Sequence, residues 1–392
     1  MSILLEPFDA PPFRNAETDI SRWRRPRQPL RVLHVVNGEH FAGAERVQDL
    51  LALRLPEFGI ETSFVCVKPN RFPAARRSAA PLYKLPMRGR FDLRPAWKLA
   101  RLIRDEQFAL LHTHTPRAAL IGRIAAKLAR VPMVHHVHGQ TASEIGRRWL
   151  SRLSAVVERF SLSEAKAVIA VSESAGRYIA AHGISAERVR VVSNGVPARE
   201  PLAPRSPPQD IWTLGVIALF RPRKGLEPLL EALAMLRQQG AAVRLRAVGS
   251  FETAAYERSV RSYTERLGIN GAIDWTGFSS DVNGELAKLD LLVFPSLLAE
   301  GLPMVVIEAM AAGVPVIGTR VDGVVDAIRD GVDGLLCKPG DGASLAGAIG
   351  RVVRGEANWQ SLRMSAWRRQ REVFSDRSMA RGMADLYREI LC

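Results

Sequence analysis

From Leu30 onward, short apolar runs alternate with amphipathic stretches, and this alternation restricts the fold more than any other feature of the chain. Runs at Val32–Val36, Thr62–Val67, Leu110–His112, Met133–Val137, Val168–Val171 and Val189–Val192 predict strands. The stretches Ala44–Leu55, Pro95–Arg104, Pro116–Arg130, Arg148–Leu162 and Ser174–His182 predict helices. Strand, helix, strand at this spacing is the pattern of a parallel sheet covered on both faces. The alternation breaks at Ser193-Asn194-Gly195 and a stretch holding Pro197, Pro201, Pro204, Pro207 and Pro208, then restarts at Trp212–Phe220. The second series predicts strands near Val243–Val248, Ile273–Trp275, Leu291–Phe294 and Val314–Ile317. Its helices are predicted near Leu226–Gln239, Ala254–Leu267, Met304–Ala312 and Ser344–Val353.

The expected fold is therefore α/β, with two doubly wound domains and a cleft between them. A chain of 392 residues is long enough for two domains of the usual size of about 100–150 residues. The boundaries read as a mobile extension at 1–29, a first domain at 30–196, a Pro-rich linker at 197–209 and a second domain at 210–370. The remaining residues, 371–392, hold a final amphipathic helix near Asp376–Leu391. Ligands of such sheets sit at the carboxyl ends of the strands, so the cleft is the natural site.

Composition narrows the class. Apolar residues are 47% and charged residues 24%, which excludes a wholly disordered chain. No window offers the roughly 18–20 uncharged apolar residues of a membrane span, and the longest candidate, Leu291–Gly318, is interrupted by Glu300 and Glu308. No basic segment followed by an apolar one opens the chain, so no secretory leader is expected. Cys66, Cys337 and Cys392 show no pairing or metal spacing, which suits a reducing, cytoplasmic setting. The net charge of +15 is unevenly spread: residues 1–196 carry 31 basic and 17 acidic side chains, residues 197–392 carry 24 and 23.

The stretch Pro295–Ile317 reads as strand end, loop, helix, Gly turn and strand. Pro303 suits the first helical position, where a missing N–H costs nothing. The amides of Met304 and Val305 would then face the cleft, and a helix start of this kind is a ready site for a diphosphate. Glu300 and Glu308, with seven residues between them, could meet groups on either side of such phosphates. The plain alternative is a pair of surface acids, but Glu308 lies in an otherwise apolar helix, where an unpaired carboxylate is costly. Lys224, beside Arg221 and Arg223, follows a strand and opens a helix, so its ammonium can reach phosphates; a solvated basic turn is the alternative. His138 ends a strand before Gly139 and would lie at the cleft, whereas His112, His135 and His136 read as structural rings bonded to backbone. The five histidines have no acidic or Cys partner at ligand spacing, so no metal site and no cofactor is expected. Gly43 would let backbone come close to a phosphate or sugar.

These segments resemble, in order, the motifs of the retaining nucleotide-sugar glycosyltransferases of family 4. The Glu300–Glu308 segment is similar to that family's E-x7-E block. Ala42-Gly43-Ala44-Glu45-Arg46 resembles its Gly-rich loop, and His112-Thr113-His114 and His138-Gly139 its two His segments. Val191–Val196 resembles its interdomain turn, Arg221–Gly225 its basic loop, and Gly277-Phe278 through Pro295-Ser296 the segment around the base. One departure is that Ala218 and Leu219 stand where the family commonly carries Gly-Arg. The resemblance implies two facing Rossmann-like domains of GT-B type, with the last helix crossing back onto the first. It implies transfer of a sugar, with retention, from a nucleotide diphosphate sugar to an acceptor hydroxyl. The donor would lie against Gly43, Arg221, Lys224, Phe278, Gly301, Leu302, Met304, Val305 and Glu308. Glu308 would hold the ribose, Glu300 a sugar hydroxyl, and His138 the sugar near its 6-position, with Lys224 on the leaving diphosphate.

Other classes compete with this reading. A nucleotide-sugar epimerase of similar fold would use the same cleft. A nucleic-acid-binding protein is suggested by charge alone, but the basic residues are not interleaved with aromatics and no nucleic acid is expected as a partner. A dehydrogenase is disfavoured because no G-x-G-x-x-G follows either first strand. Residues 71–104 hold ten basic side chains against Asp92 alone, and Arg147, Arg148, Arg152 and Arg159 flank the apolar stripe of Trp149, Leu150 and Leu153. An anionic membrane surface, met peripherally from the cytoplasmic side, and a lipid-linked acceptor are the expected partners.

Overall fold

The computed structural model describes residues 29–89, 92–139 and 161–392. The predicted helix Arg148–Leu162 lies outside them except for its last two residues, and so do the extension 1–28 and Arg90.

Thirteen strands form two sheets among the described residues. The first sheet holds β1 (Leu30–Val36), β2 (Ile60–Cys66), β3 (Leu82–Lys84), β4 (Leu110–Thr113), β5 (Met133–Val137), β6 (Ala167–Ala170) and β7 (Val189–Val191). The second holds β8 (Trp212–Ile217), β9 (Val243–Val248), β10 (Ile273–Gly277), β11 (Leu291–Phe294), β12 (Val316–Thr319) and β13 (Gly334–Cys337). The orders are β3-β2-β1-β4-β5-β6-β7 and β10-β9-β8-β11-β12-β13, parallel throughout. These are two Rossmann-like, doubly wound sheets, and the strand order reverses between β1 and β4 and between β8 and β11. Each reversal splits the crossover helices to opposite faces and leaves a crevice at the strand ends. The interior strand Leu291–Phe294 is wholly apolar and has no exposed position, whereas β1, β4 and β5 carry buried histidines among their apolar residues.

Edge strands β3 and β13 were not foreseen, being short and flanked by Pro81 or opened by Gly334. Short edges carry little apolar signal because only one neighbour covers them. The helix Trp359–Val373 was also not foreseen. Its buried face includes Arg363 and Gln370 beside Trp359, Leu362 and Ala366, so its apolar stripe is thin. Gln370 uses its amide to hold the carbonyls of Val196 and Phe374, 2.9 and 3.1 Å away, at the junction of the two halves.

The last helix, Asp376–Leu391, packs on the first sheet. Met379, Ala380, Met383, Leu386 and Tyr387 are buried with Val32, Val47, Leu51, Leu110 and Ile169. Ser375 caps it, Arg54 donates to Asp376 at 2.7 Å, and Val196 exchanges backbone bonds with Phe374 and Asp376. Among the described residues, no helix is long and apolar enough to cross a membrane.

The junction admits no side chain at Gly195. A Cβ there would stand 2.2 Å from the Ser375 carbonyl oxygen, whereas one at Gly382, on the crossing helix, would meet Val192 at an ordinary 3.4 Å. Gly195→Ala is therefore expected to lower stability by about 2 kcal/mol or more. Gly382→Ala should be neutral or add up to about 1 kcal/mol through helix propensity. Denaturant midpoints for the two variants check the pair, and equal midpoints would refute this account of the junction.

Candidate active site

Both crevices are lined by the loops that the sequence marks. At the end of β8, Pro222–Lys224 make one tight helical turn, and Gly225 leads into the helix Leu226–Gln238. At the end of β11, residues 295–303 form the loop before the helix Met304–Ala311. The two loops meet: the Leu297 amide donates to the Arg223 carbonyl at 2.9 Å, and Lys224 Nζ donates to Glu300 Oε1 at 2.5 Å. Ser296 Oγ donates to the same carboxylate oxygen at 2.7 Å, and the Glu300 amide is held by the Asp322 carbonyl at 2.9 Å. Burial pulls the Lys224 ammonium below the usual lysine range, with Glu300 working against that shift. The ammonium also lies 5.3 Å from the centre of the Phe294 ring. The result is a largely buried cation positioned by one carboxylate at the strand ends.

Pro303 stands at the N-cap rather than at the first helical position, one residue earlier than expected, because its ψ of 117° is extended. The amides of Val306 and Ile307 turn back to the Pro303 carbonyl, which leaves those of Met304 and Val305 at the helix start. Glu308 is buried and accepts from Arg46, which lies on the helix Gly43–Arg54 of the other half. Arg46 is therefore the partner that the apolar setting of Glu308 demands, and sequence reading missed it. Its one visible signal is its position three residues after Gly43. A Cβ on Gly43 would lie 3.6 Å from the Met304 side chain, so these two helix starts adjoin across the cleft.

The loop 299–303 is gripped by the first half. Ser172 Oγ donates to the Gly301 carbonyl at 2.9 Å, and Asn194 Nδ2 donates to the Leu302 carbonyl at 3.2 Å. A Cβ on Gly301 would stand 2.3 Å from the His138 carbonyl oxygen, so only glycine permits this approach. Leu302 and Val171 are buried in one apolar cluster that reaches into both halves. His138 is thereby brought beside Gly301, one residue from Glu300.

The remaining histidines differ from expectation. Their partners are side chains, not backbone: His112 Nδ1 lies 2.5 Å from Tyr387 Oη, and His135 Nδ1 lies 2.8 Å from Thr113 Oγ1. Neither ring nitrogen of His136 has a partner among the described residues. Two groups, His34/His112/His114 and His114/His136/His138, bring three ring nitrogens within 4.8 Å of one another. Each contains a face-to-face pair, His112 on His114 at 4.0 Å and His136 on His138 at 4.2 Å. In-plane lone pairs of stacked rings run side by side and do not converge on one ion.

Two expected donor contacts stand apart from this cluster. Arg221 turns to Glu252, 3.5 Å away. Phe278 is 77% exposed on the loop after β10. Lys224, Glu300, Gly301, Leu302 and His138 are drawn together, as are Gly43, Met304 and, through Arg46, Glu308, with Val305 following on the helix.

Two family models match the chain in succession, Glycosyltransferase Family 4 over residues 41–200 and Glycosyl transferases group 1 over residues 210–354. The chain is 29% identical to EpsD of Bacillus subtilis, over 74% of this chain and 79% of that protein. It is 25% identical to CapM of Staphylococcus aureus, a capsular polysaccharide biosynthesis glycosyltransferase, over 76% and 82%. It is 24% identical to an Escherichia coli enzyme described as UDP-Gal:alpha-D-GlcNAc-diphosphoundecaprenol alpha-1,3-galactosyltransferase, over 67% and 70%. The structure of HepE from Anabaena in complex with UDP superposes with a TM-score of 0.80 at 21% identity, covering 92% of this chain and all of that one. That protein is also known in complex with UDP-glucose. At such identity the likeness shows the fold.

Burial holds the histidines neutral: His34 and His135 are pulled from 6.5 down to about 3, and His138 to about 4. The unfolded chain protonates these rings near 6.5 while the native chain does not, so the unfolded state binds more protons below that pH. Stability must then fall on acidification from about 6.5, by up to about 1.4 kcal/mol per pH unit for each ring. Thermal midpoints between pH 7.5 and 5, above the carboxylate range, check this, and a flat profile would contradict it.

Proposed function

Because the chain belongs to the group 1 and family 4 glycosyltransferases, we propose that it moves a sugar, with retention, from a nucleotide diphosphate sugar to an acceptor hydroxyl. The observation that carries this reading is the Lys224–Glu300 pair beside the open helix start at Met304, opposite His138. As the bond from the anomeric carbon to the diphosphate oxygen breaks, negative charge grows on the leaving group. Lys224 and the amides of Met304 and Val305 stabilise that charge, and Arg221 adds to it by turning from Glu252. Glu308 binds the ribose, Glu300 a sugar hydroxyl, and His138 the sugar near the reacting carbon, while Phe278 covers the base. Residues 30–196 carry the acceptor side and 210–370 the donor side. UDP is the favoured nucleotide, on the strength of HepE and the Escherichia coli relative. With Lys224 and helix-end amides on the diphosphate, transfer runs without a divalent cation.

The acceptor is a lipid-linked sugar of a cell-envelope polysaccharide or exopolysaccharide, as the names of two relatives suggest. A peripheral site on the cytoplasmic face of a membrane fits the basic first half. Trp97 is 58% exposed on the helix Arg94–Asp105. A groove of about 580 Å³ beside it is lined by Leu82, Leu85 and Leu102 together with Lys84, Lys98, Arg101 and, paired with Arg101, Asp105. Aromatic and apolar groups ringed by cations suit the headgroup region of an anionic bilayer.

In a transfer assay run in excess EDTA, the wild-type chain is expected to turn over. Lys224→Ala, Glu308→Ala and His138→Leu should each lower kcat/KM about tenfold to a few hundredfold, the worth of one charged hydrogen bond. Wild-type turnover by any one removes that residue from the site, and activity restored only by magnesium or manganese rejects metal independence. In co-sedimentation, the chain should bind anionic vesicles at low salt, release at high salt and ignore neutral vesicles, with Trp97→Ala weaker. Equal binding to neutral vesicles would end the membrane reading.

A further inference from the structure

Five side chains of the first half form one continuous hydrogen-bonded chain that ends at His138. His112 Nδ1 meets Tyr387 Oη at 2.5 Å, and Tyr387 Oη meets His34 Nε2 at 3.2 Å. His34 Nδ1 meets His114 Nε2 at 3.0 Å, and His114 Nδ1 meets His138 Nε2 at 3.0 Å. In the last two pairs the rings are nearly coplanar, tilted by 23° and 22°, with centres 5.1 and 5.3 Å apart. The nitrogens therefore meet end to end in the ring planes, as good hydrogen bonds require.

A neutral imidazole carries one N–H and one lone pair, so every link constrains the next. All members stay neutral, because burial depresses the four histidines and raises Tyr387 well above its usual range. Three proton arrangements satisfy every link, but the one in which the Tyr387 oxygen accepts from both His112 and His34 leaves the buried Tyr387 proton with no acceptor among the described residues, so two remain. In one, protons point from His112 toward His138, and His138 carries its proton on Nδ1. In the other all are reversed, and His112 Nε2 becomes an N–H. That atom is fully buried with no partner among the described residues. Each arrangement leaves one N–H without a protein partner, on His138 Nδ1 in the first and on His112 Nε2 in the second. His112 is wholly buried, whereas His138 is only partly buried at the strand end, so the first is the arrangement that a ligand in the cleft can complete. It places the leftover N–H on His138 Nδ1, at the end of β5 beside Gly301, where that atom too lacks a protein partner.

We propose that His114 is a positioning residue: by donating Nδ1–H to His138 Nε2 it fixes His138 as a neutral ring with its proton on Nδ1, offered to an oxygen of the bound donor. This rests on the reading of His138 as a donor contact given above. Tyr387, on the crossing helix, and His34 hold His114 in the required form.

The test is the two-bond proton–nitrogen spectrum of the ¹⁵N-histidine-labelled full-length chain, with His138 assigned by its loss in His138→Leu. Wild type should show His138 protonated on Nδ1. His114→Leu should move the proton to Nε2 and lower kcat/KM about two- to tenfold, the worth of one neutral hydrogen bond. His114→Asn, whose amide can still donate to His138, should restore both. A wild-type His138 protonated on Nε2 overturns the inference even if no variant folds, as does an unchanged His138 signal in His114→Leu. If His114→Leu shifts the signal yet turns over like wild type, the positioning role fails. If His138→Leu also turns over like wild type, it is the underlying donor contact that fails.

Discussion

A lysine ammonium taken out of water must find a counter-charge, and the pairing of Lys224 with Glu300 is the constraint around which the second half is arranged. The pair joins the ends of β8 and β11, the two strands at which the sheet reverses its order. Holding Glu300 in place takes the Ser296 hydroxyl and the Asp322 carbonyl, so the loops after β11 and β12 are both tied to it. Such a pair is weak support for stability, since desolvation offsets most of the attraction. Its value is positional: a cation kept ready where an anion can replace or join its partner.

The second dependence is closeness between halves. Arg46 reaches across to Glu308, Ser172 and Asn194 hold the 301–302 backbone, and His138 sits against Gly301. Each contact needs the interdomain turn and the crossing helix to fix the relative placement of the sheets. That is why Gly195, Gln370 and Ser375, at the junction of the two halves, bear on the geometry of the site.

The two-sheet architecture was legible because interior parallel strands are mostly apolar and their helices are periodic. Leu291–Phe294 and Val243–Val248 lie where the pattern puts them. Elements with thin apolar faces were not legible: the edges Leu82–Lys84 and Gly334–Cys337, and the polar helix Trp359–Val373. Lys224, Glu300 and Glu308 stood out as charges among apolar or strand-end residues. Their pairing did not, since neither the bond of Lys224 to Glu300 nor that of Arg46 to Glu308 leaves any trace in spacing. The imidazole chain was hidden for the same reason. Its links join residues 34, 112, 114, 138 and 387, which only the sheet register and the crossing helix bring together.

The two walls of the cleft differ in electrostatic character, and the difference follows from burial. The second half offers a lysine, arginines and helix-end amides, which suit an anion. The first half offers imidazoles that burial strips of charge, although it holds most of the chain's excess cations. Among the described residues, no lysine or arginine of the first half is fully buried, because the same desolvation cost that neutralises the histidines keeps them toward the surface. A neutral donor such as His138 can bind a hydroxyl without competing for the diphosphate. A cation in its place would draw the phosphates toward the sugar side and misregister the donor. On the proposed reading, neutrality at His138 and positive charge at Lys224 are complementary requirements of one bound donor, met by two sheets built to the same plan.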